Sequence, residues 1–367
     1  MKSFTFHNPT KIIFGKNKIR EIAAIIPIKY ERIFIVSDNN LSKNTDILVK
    51  LIRELDEFEI MLFDKVEENP SFETINKGGR QASSFEADLI IGIGGGSCMD
   101  AAKGIAVTAS HAEPIEKYTG SLCRIKNTLP LICIPTSSGT GSEVTPFAVF
   151  TDKKNETKVG LSHPAIFPTI ALIDPELTYS MPREVIINTG LDALSHAVEA
   201  YLSMDSFEMN NQIALQCIQL VSENLMMAAL KAPEAMDNMA YASMLGGIAI
   251  SHASTILPHI MGYPLTVYHN VPHGRACVIL LPAFLEYLAD NDSVKRKLDQ
   301  INKIFEPYKG LRSFLAGLTV STKLSSYGVT EDEIPNYVEK TIVKGDIKIT
   351  PGNIDREIIT KIYIDSL

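Results

Sequence analysis

Four residues in the second half of the chain have the types and the spacing needed to bind a transition metal. Asp192 and His196 are four positions apart in TGLDALSHAVEAY, so in a helix both side chains lie on one face, about one turn apart. His259 and His273 flank a stretch with Gly and Pro, LPHIMGYPLTVYHNVPHG. One carboxylate and three imidazoles suit Fe²⁺ or Zn²⁺ and suit Mg²⁺ or Ca²⁺ poorly. The alternative for Asp192 and His196 is a helix cap or a hydrogen bond on a helix surface.

A glycine-rich turn in the first half of the chain is typical of a pyrophosphate site. In ADLIIGIGGGSCMDAAKGIAV an apolar strand runs into Gly94, Gly95, Gly96 and Ser97, and a helix begins immediately afterwards. Glycines let the backbone approach a ligand closely, and the helix N-terminus supplies N–H donors and a partial positive charge. The alternative is a tight turn without a ligand, because G-G-G-S is neither the usual dinucleotide fingerprint nor a P-loop.

Two further segments support a nucleotide site. After the predicted strand LPLICIP, the hydroxyl- and glycine-rich loop 136–143 can donate hydrogen bonds to phosphate or ribose oxygens. Asp38 ends the predicted strand RIFIVSD. Its carboxylate can accept hydrogen bonds from an adenine ribose and would repel a 2′-phosphate, which favours NAD over NADP. The alternatives are a plain polar connection for the loop and a helix cap for Asp38.

An α/β domain followed by a helical one must position these residues. Up to about residue 175, near-continuous apolar runs indicate parallel strands buried on both faces, with amphipathic crossover helices between them. The runs predict strands at 32–38, 59–63, 88–94 and 129–135, helices at 44–56 and 72–85, and, after the turn-rich TDKKNETKVG, a last strand ending at Asp174. Helical periodicity dominates afterwards. We therefore expect an α/β domain over 1–178 and an all-helical domain over 179–367.

The composition excludes several classes of protein. The 367 residues are 45% hydrophobic and 21% charged, an ordinary globular composition long enough for two domains. With 35 Lys plus Arg against 43 Asp plus Glu, the net charge of −8 disfavours a nucleic-acid partner. The N-terminus lacks the apolar core of a secretion signal, and no run of 18 apolar residues occurs. We expect a cytoplasmic protein without a membrane partner, whose five scattered cysteines are buried thiols.

Several motifs occur together in a characteristic order. They are FTFHNPTKIIFGKN, Asn69-Pro70 in EENPSFE, GIGGGSCMDAAK, IPTSSGTGSEVT, Lys158 in ETKVGLSHP, IALIDPELTYSMP, GLDALSHAVEAYLS and PHIMGYPLTVYHNVPHGRACVILLP. In this order and spacing the chain resembles the iron-containing (group III) alcohol dehydrogenase family over essentially its whole length.

The resemblance implies a dehydroquinate synthase-like architecture: an α/β dinucleotide-binding (Rossmann-like) domain and an all-helical metal-binding domain. It implies an oxidoreductase that uses NAD, less readily NADP, to interconvert short primary alcohols or diols with aldehydes. It also implies Fe²⁺, with Zn²⁺ as the alternative, and a homodimer. By position, the metal ligands are Asp192, His196, His259 and His273. The NAD site is matched by Asp38, Asn69, Gly94, Gly95, Gly96, Ser97, Thr136, Thr140 and Lys158, with Asp100, Thr145 and Phe147 as near-site candidates.

One position departs from the pattern of the family. Many members carry a second histidine four residues after the third ligand, beside the metal, where it can relay protons; here that position is Tyr263. A tyrosine hydroxyl, with an ordinary pKa near 10, is a poorer base at neutral pH than imidazole. His269 is a second candidate for the proton relay.

Two other functions remain open at the level of sequence. Glycerol-1-phosphate dehydrogenase and dehydroquinate synthase share this architecture and act on phosphorylated substrates, which need a cationic pocket. Near the metal motifs Arg275 is the one cation, whereas Tyr263, Leu265 and Tyr268 favour a less polar pocket. The second alternative is a nucleotide-binding protein without catalysis.

Overall fold

Two units of different secondary structure divide the chain, which the computed structural model describes over residues 2–119, 125–155 and 157–367. One unit comprises His7–Ser137 and Gly141–Met181 and is called the α/β unit below. The other comprises Pro182–Leu367, the chain before His7, and the short segment Ser138–Thr140, and is called the helical unit.

A six-stranded parallel sheet forms the centre of the α/β unit. The strands described there are β1 (Lys11–Phe14), β2 (Arg32–Asp38), β3 (Glu59–Val66), β4 (Leu89–Gly94), β5 (Leu131–Pro135), β6 (Phe147–Asp152), β7 (Thr157–Ser162) and β8 (Ile170–Ile173). The sheet has the order β1-β8-β5-β4-β2-β3, and every neighbouring pair is parallel. Strands β6 and β7 form a separate antiparallel pair.

Both faces of this sheet are buried, each in its own apolar core. Along β2, Phe34 and Val36 belong to one core and Ile33 and Ile35 to the other, as the alternation of side chains along a strand requires. The helices described in this unit are α1 (Ile22–Ile25), α2 (Asn39–Asn44), α3 (Ile47–Glu54), α4 (Phe72–Ser84) and α5 (Gly96–His111). Burial on both faces explains why the strands read as continuous apolar runs.

The predicted fold class is confirmed, with two local differences. Strand β1, at one edge of the sheet, was not predicted, because four mostly exposed residues give no periodic signal. The stretch TDKKNETKVG predicts turns, but strand β6 continues to Asp152 and strand β7 begins at Thr157. The turn residues mark only the tip, where the Asp152 carboxylate accepts hydrogen bonds from the backbone N–H groups of Lys154 and Asn155.

The helical unit contains helices alone among the regular elements of its described part, residues 182–367. They are α6 (Arg183–Leu202), α7 (Glu208–Ala229), α8 (Pro233–Ala253), α9 (Leu257–His269), α10 (His273–Tyr287), α11 (Lys295–Phe305), α12 (Leu311–Gly317), α13 (Ile334–Ile342) and α14 (Arg356–Asp365). Over the described chain, no single helix passes as a membrane span by length and hydropathy, although α8 and α9 do so as a pair bent by 113°.

Helix α6 is the central helix of this unit. It packs against α7, α8 and α10, and every residue from Gly190 to Leu202 is buried. A helix buried on all sides has no polar face to offer to water. The polar side chains within this buried stretch must therefore find their partners inside the protein.

Helix α10 approaches α6 at backbone distance. A Cβ atom added to Gly274 would lie 2.1 Å from the backbone oxygen of Asn188 and 2.6 Å from the backbone nitrogen of Asp192. Only glycine fits there without a shift of the helices. Because His273 precedes Gly274 directly, this contact brings the His273 side chain next to Asp192.

We predict that Gly274→Ala destabilises the protein by about 1–3 kcal/mol, because the added methyl group meets backbone atoms that cannot rotate away. Denaturant unfolding followed by circular dichroism measures the change. Gly345→Ala is the matched control, because a Cβ atom at Gly345 meets nothing within 4 Å. Equal stability of the two variants would contradict the close approach of α10 and α6.

Candidate metal and nucleotide sites

The four predicted metal ligands lie together in the helical unit. On α6, the His196 Nε2 atom is 3.7 Å from Asp192 Oδ1. The His273 Nε2 atom, at the start of α10, is 4.0 Å from the same oxygen. His259 on α9 completes the group: its Nε2 atom is 3.0 Å from His273 Nε2, and its ring centroid is 5.3 Å from that of His196.

This geometry fits a divalent transition metal. Asp192, His196 and His259 are buried, and Asp192 Oδ1 has no hydrogen-bond partner among the described residues. Two ring nitrogens that face each other at 3.0 Å are close to the roughly 3.3 Å edge of a tetrahedron with metal–nitrogen bonds of about 2.0–2.1 Å. Burial lowers the pKa of the His196 imidazole. For His259, burial also lowers the pKa, but the neighbouring Cys277 and Glu199 outweigh it, so the pKa of this imidazole is raised.

Cys277 lies beside this cluster but faces it from another side. Its Sγ atom is 3.4 Å from His259 Nδ1 and 4.0 Å from His273 Nε2. The candidate ligand atoms of Cys277, His259 and His273 all lie within 4.8 Å of one another. Burial raises the pKa of the Cys277 thiol. The sulfur thus approaches His259 at the nitrogen opposite to the one that faces His273. The predicted burial of the cysteines holds for Cys98, Cys133, Cys217 and Cys277; Cys123 lies outside the described residues.

Of the two candidates for proton transfer, the structure brings only Tyr263 to the cluster. Its ring centroid is 5.9 Å from that of His259 and 5.9 Å from that of His273, on which it stacks. Burial raises the pKa of the Tyr263 phenol, so the group keeps its proton at neutral pH. The Nε2 atom of His269 is instead 2.7 Å from the Tyr337 hydroxyl and 3.1 Å from Glu333 Oε1.

In the α/β unit, the glycine-rich turn joins β4 to α5 as predicted. Gly94 has φ +144°, and a Cβ atom there would lie 2.5 Å from the Cys98 sulfur. Gly95 is the N-cap of α5 and the helix begins at Gly96, so a side chain is absent where the N–H groups of the first turn are exposed to a ligand. The backbone N–H of Thr136 donates to the Gly94 carbonyl at 2.9 Å, which ties the next strand end to this turn.

A hydrogen bond connects Ser97 with Asn69, and the pairing of two strands leads from Asn69 to Lys158; both are predicted cofactor residues. The backbone N–H of Asn69, which has φ +55°, donates to Ser97 Oγ at 3.2 Å. The Thr151 hydroxyl donates to the Asn69 carbonyl at 2.8 Å, and Thr151 pairs with Lys158 across the β6–β7 hairpin. Ser97, Asn69 and Lys158 are thus brought to one region of the unit. Thr140 lies in the segment that groups with the helical unit.

Asp38 is a helix cap, as the alternative prediction proposed, through one of its two carboxylate oxygens. Oδ1 accepts a hydrogen bond from the backbone N–H of Leu41 at 2.7 Å and caps α2. Oδ2 lies 3.3 Å from the Cys98 sulfur. The cap fixes the carboxylate at the carboxyl end of β2, where open α/β sheets bind their ligands.

Asp100, Thr145 and Phe147 surround a buried cation that the sequence analysis missed. The Nζ atom of Lys103, fully buried on α5, donates to Ser142 Oγ at 2.7 Å, Thr145 Oγ1 at 3.2 Å and the Phe147 carbonyl at 2.6 Å. The Asp100 carboxylate accepts from Ser142 Oγ at 2.7 Å and from the backbone N–H of Val149 at 2.9 Å.

These contacts hold the loop that follows Thr140. Burial lowers the pKa of the Lys103 ammonium and raises that of the Asp100 carboxyl, and each charge opposes the shift of the other. Asp100, Thr145 and Phe147 therefore support the loop through Lys103. The signal for Lys103 was its place three residues after Asp100 in GIGGGSCMDAAK, where both side chains share a helix face.

Comparison with protein families identifies the chain. The model described as "Iron-containing alcohol dehydrogenase" matches residues 9–175, and the C-terminal model of the Fe-containing alcohol dehydrogenase family matches residues 186–367. The chain belongs to the iron-containing alcohol dehydrogenase family. It is therefore an oxidoreductase of the alcohol dehydrogenase type, as the motifs predicted.

The relatives differ in how much of this alcohol dehydrogenase chain they match and in how much of their own length is matched. Aldehyde-alcohol dehydrogenase 2 of Entamoeba histolytica is 37% identical over 80% of the chain, which spans only 35% of that longer protein. The NADPH-dependent butanol dehydrogenase of Clostridium saccharobutylicum is 30% identical over 99% of the chain and 97% of its own length.

Solved structures share the whole fold. An iron-containing alcohol dehydrogenase from Thermotoga maritima is 36% identical, with a TM-score of 0.92 over 100% of this chain and 99% of that one. A sulfoacetaldehyde reductase from Bifidobacterium kashiwanohense, solved in complex with NAD⁺, is 26% identical, with a TM-score of 0.90 over 100% and 99%.

We predict that Lys103→Met lowers the free energy of unfolding of the α/β unit by about 3–5 kcal/mol, because the Asp100 carboxylate loses its buried counter-charge. Chemical denaturation measures the loss, and titration with NADH shows weaker binding if the loop shifts. Lys117→Met is the control, because this lysine pairs with Glu113 on the surface, where an ion pair contributes little. A midpoint for Lys103→Met equal to that of the control would contradict the assignment.

Proposed function

We propose that this protein is a metal-dependent alcohol dehydrogenase and aldehyde reductase, which transfers hydride between NAD(H) and a short primary alcohol, diol or aldehyde. The observation that carries the proposal is the group of Asp192, His196, His259 and His273, of which the first three are buried and His273 is half-buried. An unpartnered carboxylate oxygen and imidazole nitrogens converge there, and family membership supplies the reaction class.

These four residues are proposed to hold Fe²⁺, with Zn²⁺ as the alternative, since an N3O set accepts both ions. A bound divalent ion of this kind is a Lewis acid that polarises the oxygen of an alcohol or a carbonyl group. The protein contributes a dry site, because Asp192, His196 and His259 are buried. It also contributes the rigid placement of the ligands on three packed helices, α6, α9 and α10.

The α/β unit is proposed to bind NAD through the glycine turn at Gly94–Gly96 together with Ser97, Asn69 and Lys158. The capped Asp38 carboxylate favours NAD over NADP, because it would repel a 2′-phosphate. The NAD⁺ complex of a relative supports this choice, whereas another relative is named for NADPH. Thr136 is proposed to belong to the same site. Thr140 is proposed as a cofactor residue from the resemblance to the family alone.

Tyr263 is proposed to donate a proton to the substrate oxygen when an aldehyde is reduced. Its ring is held against His259 and His273, and its raised pKa makes the hydroxyl a donor when an aldehyde is reduced. Removal of a proton from an alcohol then passes through water or the cofactor ribose. His269 is the second candidate, with Tyr337 and Glu333 as its neighbours.

The sequence places one cation, Arg275, near the metal motifs, and its contacts do not favour a phosphorylated substrate. The Arg275 guanidinium donates to Glu184 Oε2 at 2.8 Å and to Asn188 Oδ1 at 3.1 Å. Its charge is thus already paired. Uncharged alcohols and aldehydes therefore remain the proposed substrate class.

Three further properties are proposed from the sequence analysis. The domains span 1–178 and 179–367. The protein is cytoplasmic, which agrees with the buried free thiols of Cys98, Cys133, Cys217 and Cys277. It forms a homodimer, as the resemblance to the family implies.

We predict that removal of the metal abolishes NADH oxidation with butanal, and that anaerobic reloading with Fe²⁺ restores it. The reason is that the buried ligands then lose the ion that polarises the carbonyl oxygen. His273→Ala should lose turnover and metal content together, measured by absorbance at the NADH band and by elemental analysis. His111→Ala is the control, because His111 lies in the α/β unit, where its ring bonds to the Val107 carbonyl and contacts the ring of Tyr118. A metal-free, fully active His273→Ala protein would overturn the proposal.

We predict that Tyr263→Phe lowers kcat for butanal reduction by about 10²-fold, a typical contribution of a positioned proton donor. Metal content should stay unchanged, because the phenyl ring preserves the stacking on His273. Tyr263→His should recover activity, since imidazole is the better base at neutral pH. A loss of kcat in His269→Gln with none in Tyr263→Phe would transfer the role to His269.

A further inference from the structure

A buried carboxylate lies behind the metal cluster and belongs to none of the four ligands. Glu199 on α6 is fully buried and follows Asp192 by seven positions and His196 by three. This spacing places all three side chains on one face of the helix. The proposed function gives Glu199 no part, although burying a charge without compensation is strongly unfavourable.

Each hydrogen-bond partner of Glu199 can act as a donor. Oε1 accepts from the Ser195 hydroxyl at 2.5 Å and faces His259 Nδ1 at 3.3 Å. Oε2 accepts from the backbone N–H of Ile256 at 2.8 Å and of His259 at 3.2 Å. The two backbone N–H groups can only donate, so Oε2 is the acceptor in both of its contacts. Glu199 thus contacts both the backbone N–H and the imidazole ring of His259.

We propose that Glu199 is a positioning residue, which fixes His259 in the tautomer that presents Nε2 to the metal. A hydrogen on Nδ1 is donated to Glu199, so the lone pair of the neutral ring is left on Nε2. This is the nitrogen that lies 3.0 Å from His273 Nε2. A carboxylate behind a ligating imidazole orients the ring and raises its basicity.

The competing partner of Nδ1 is weaker. The Cys277 sulfur lies 3.4 Å from the same nitrogen, but a thiol is a poor hydrogen-bond acceptor compared with a carboxylate. Glu199 is in addition held rigidly by Ser195 and two backbone N–H groups. The orientation of the ring therefore follows the carboxylate.

The charges of the cluster agree with this role. Asp192 and Glu199 are buried carboxylates on one helix face, and together they match the charge of one divalent cation. A divalent ion held by Asp192 and three neutral imidazoles would keep one excess positive charge in a buried site. Glu199 supplies the second negative charge without occupying a coordination position.

The inference rests on the proposed metal function, and metal binding itself provides the test. In Glu199→Gln the amide has almost the same shape, but it loses the charge and offers Nδ1 a weaker acceptor. We expect the dissociation constant for Zn²⁺ to rise about 10–100-fold. Competition with a coloured chelator measures this constant without any enzyme assay. The rise in the thermal midpoint on addition of Zn²⁺ should shrink accordingly.

Two further variants separate positioning from folding. Ser195→Ala keeps the carboxylate but removes one of its donors, so a smaller loss of Zn²⁺ affinity is expected. Asp174→Asn is the matched control, because Asp174 is a buried carboxyl group in the α/β unit that accepts hydrogen bonds from the backbone N–H groups of Ile19 and Glu176. The Zn²⁺ affinity of this variant should equal that of the unmodified protein. In Co²⁺-loaded protein, Glu199→Gln should also shift the visible bands of the ion, which a purely structural role would leave unchanged.

The outcomes distinguish this inference from the function on which it rests. If the unmodified protein binds neither Zn²⁺ nor Fe²⁺, the proposed function fails. If it binds Zn²⁺ and Glu199→Gln binds equally tightly, the inference alone is wrong. Should Glu199→Gln fail to fold, Ser195→Ala decides: unchanged Zn²⁺ affinity and unchanged Co²⁺ bands would overturn the positioning role, and a loss of affinity would support it.

Discussion

The structure of the helical unit depends on the burial of charged and polar groups along one face of α6. Asp192, His196 and Glu199 lie in a stretch of this helix that neighbouring helices cover completely. Water cannot satisfy these groups, so protein groups or a bound cation must do so. Three features help to satisfy these groups inside the protein. They are the close contact of Gly274 with α6, the start of α9 after Ile256, and the hydrogen bonds of Glu199.

A similar constraint acts in the α/β unit, with the opposite sign. The Lys103 ammonium is buried and is satisfied by backbone carbonyls, two hydroxyls and the nearby Asp100 carboxylate. The carbonyls and hydroxyls belong to the loop that carries part of the proposed cofactor site. In both units a charge without access to water organises the polypeptide around a ligand site. Such networks are strong only when every member has a partner.

The comparisons and the geometry support each other at different levels. Family membership establishes the fold and the type of reaction, whereas the distances show that Asp192, His196, His259 and His273 lie together, as the proposed metal site requires. The substitution of tyrosine at position 263 preserves an aromatic ring against the histidines. It replaces a group that titrates near neutral pH with one that does not.

The sequence by itself determined the class of the fold, the parallel strands and the identity of the four metal-binding candidates. Hydrophobic periodicity is a local signal, and residue types at fixed spacing report the chemistry of a helix face. Tertiary structure decided which distant residues meet. These contacts join residues that are separated by up to 68 positions in the sequence. They include the partners of Asp38 and His269, the buried network of Lys103, and the contact of Glu199 with His259. No local pattern contains such contacts, because they arise only when packed elements bring polar groups together away from water.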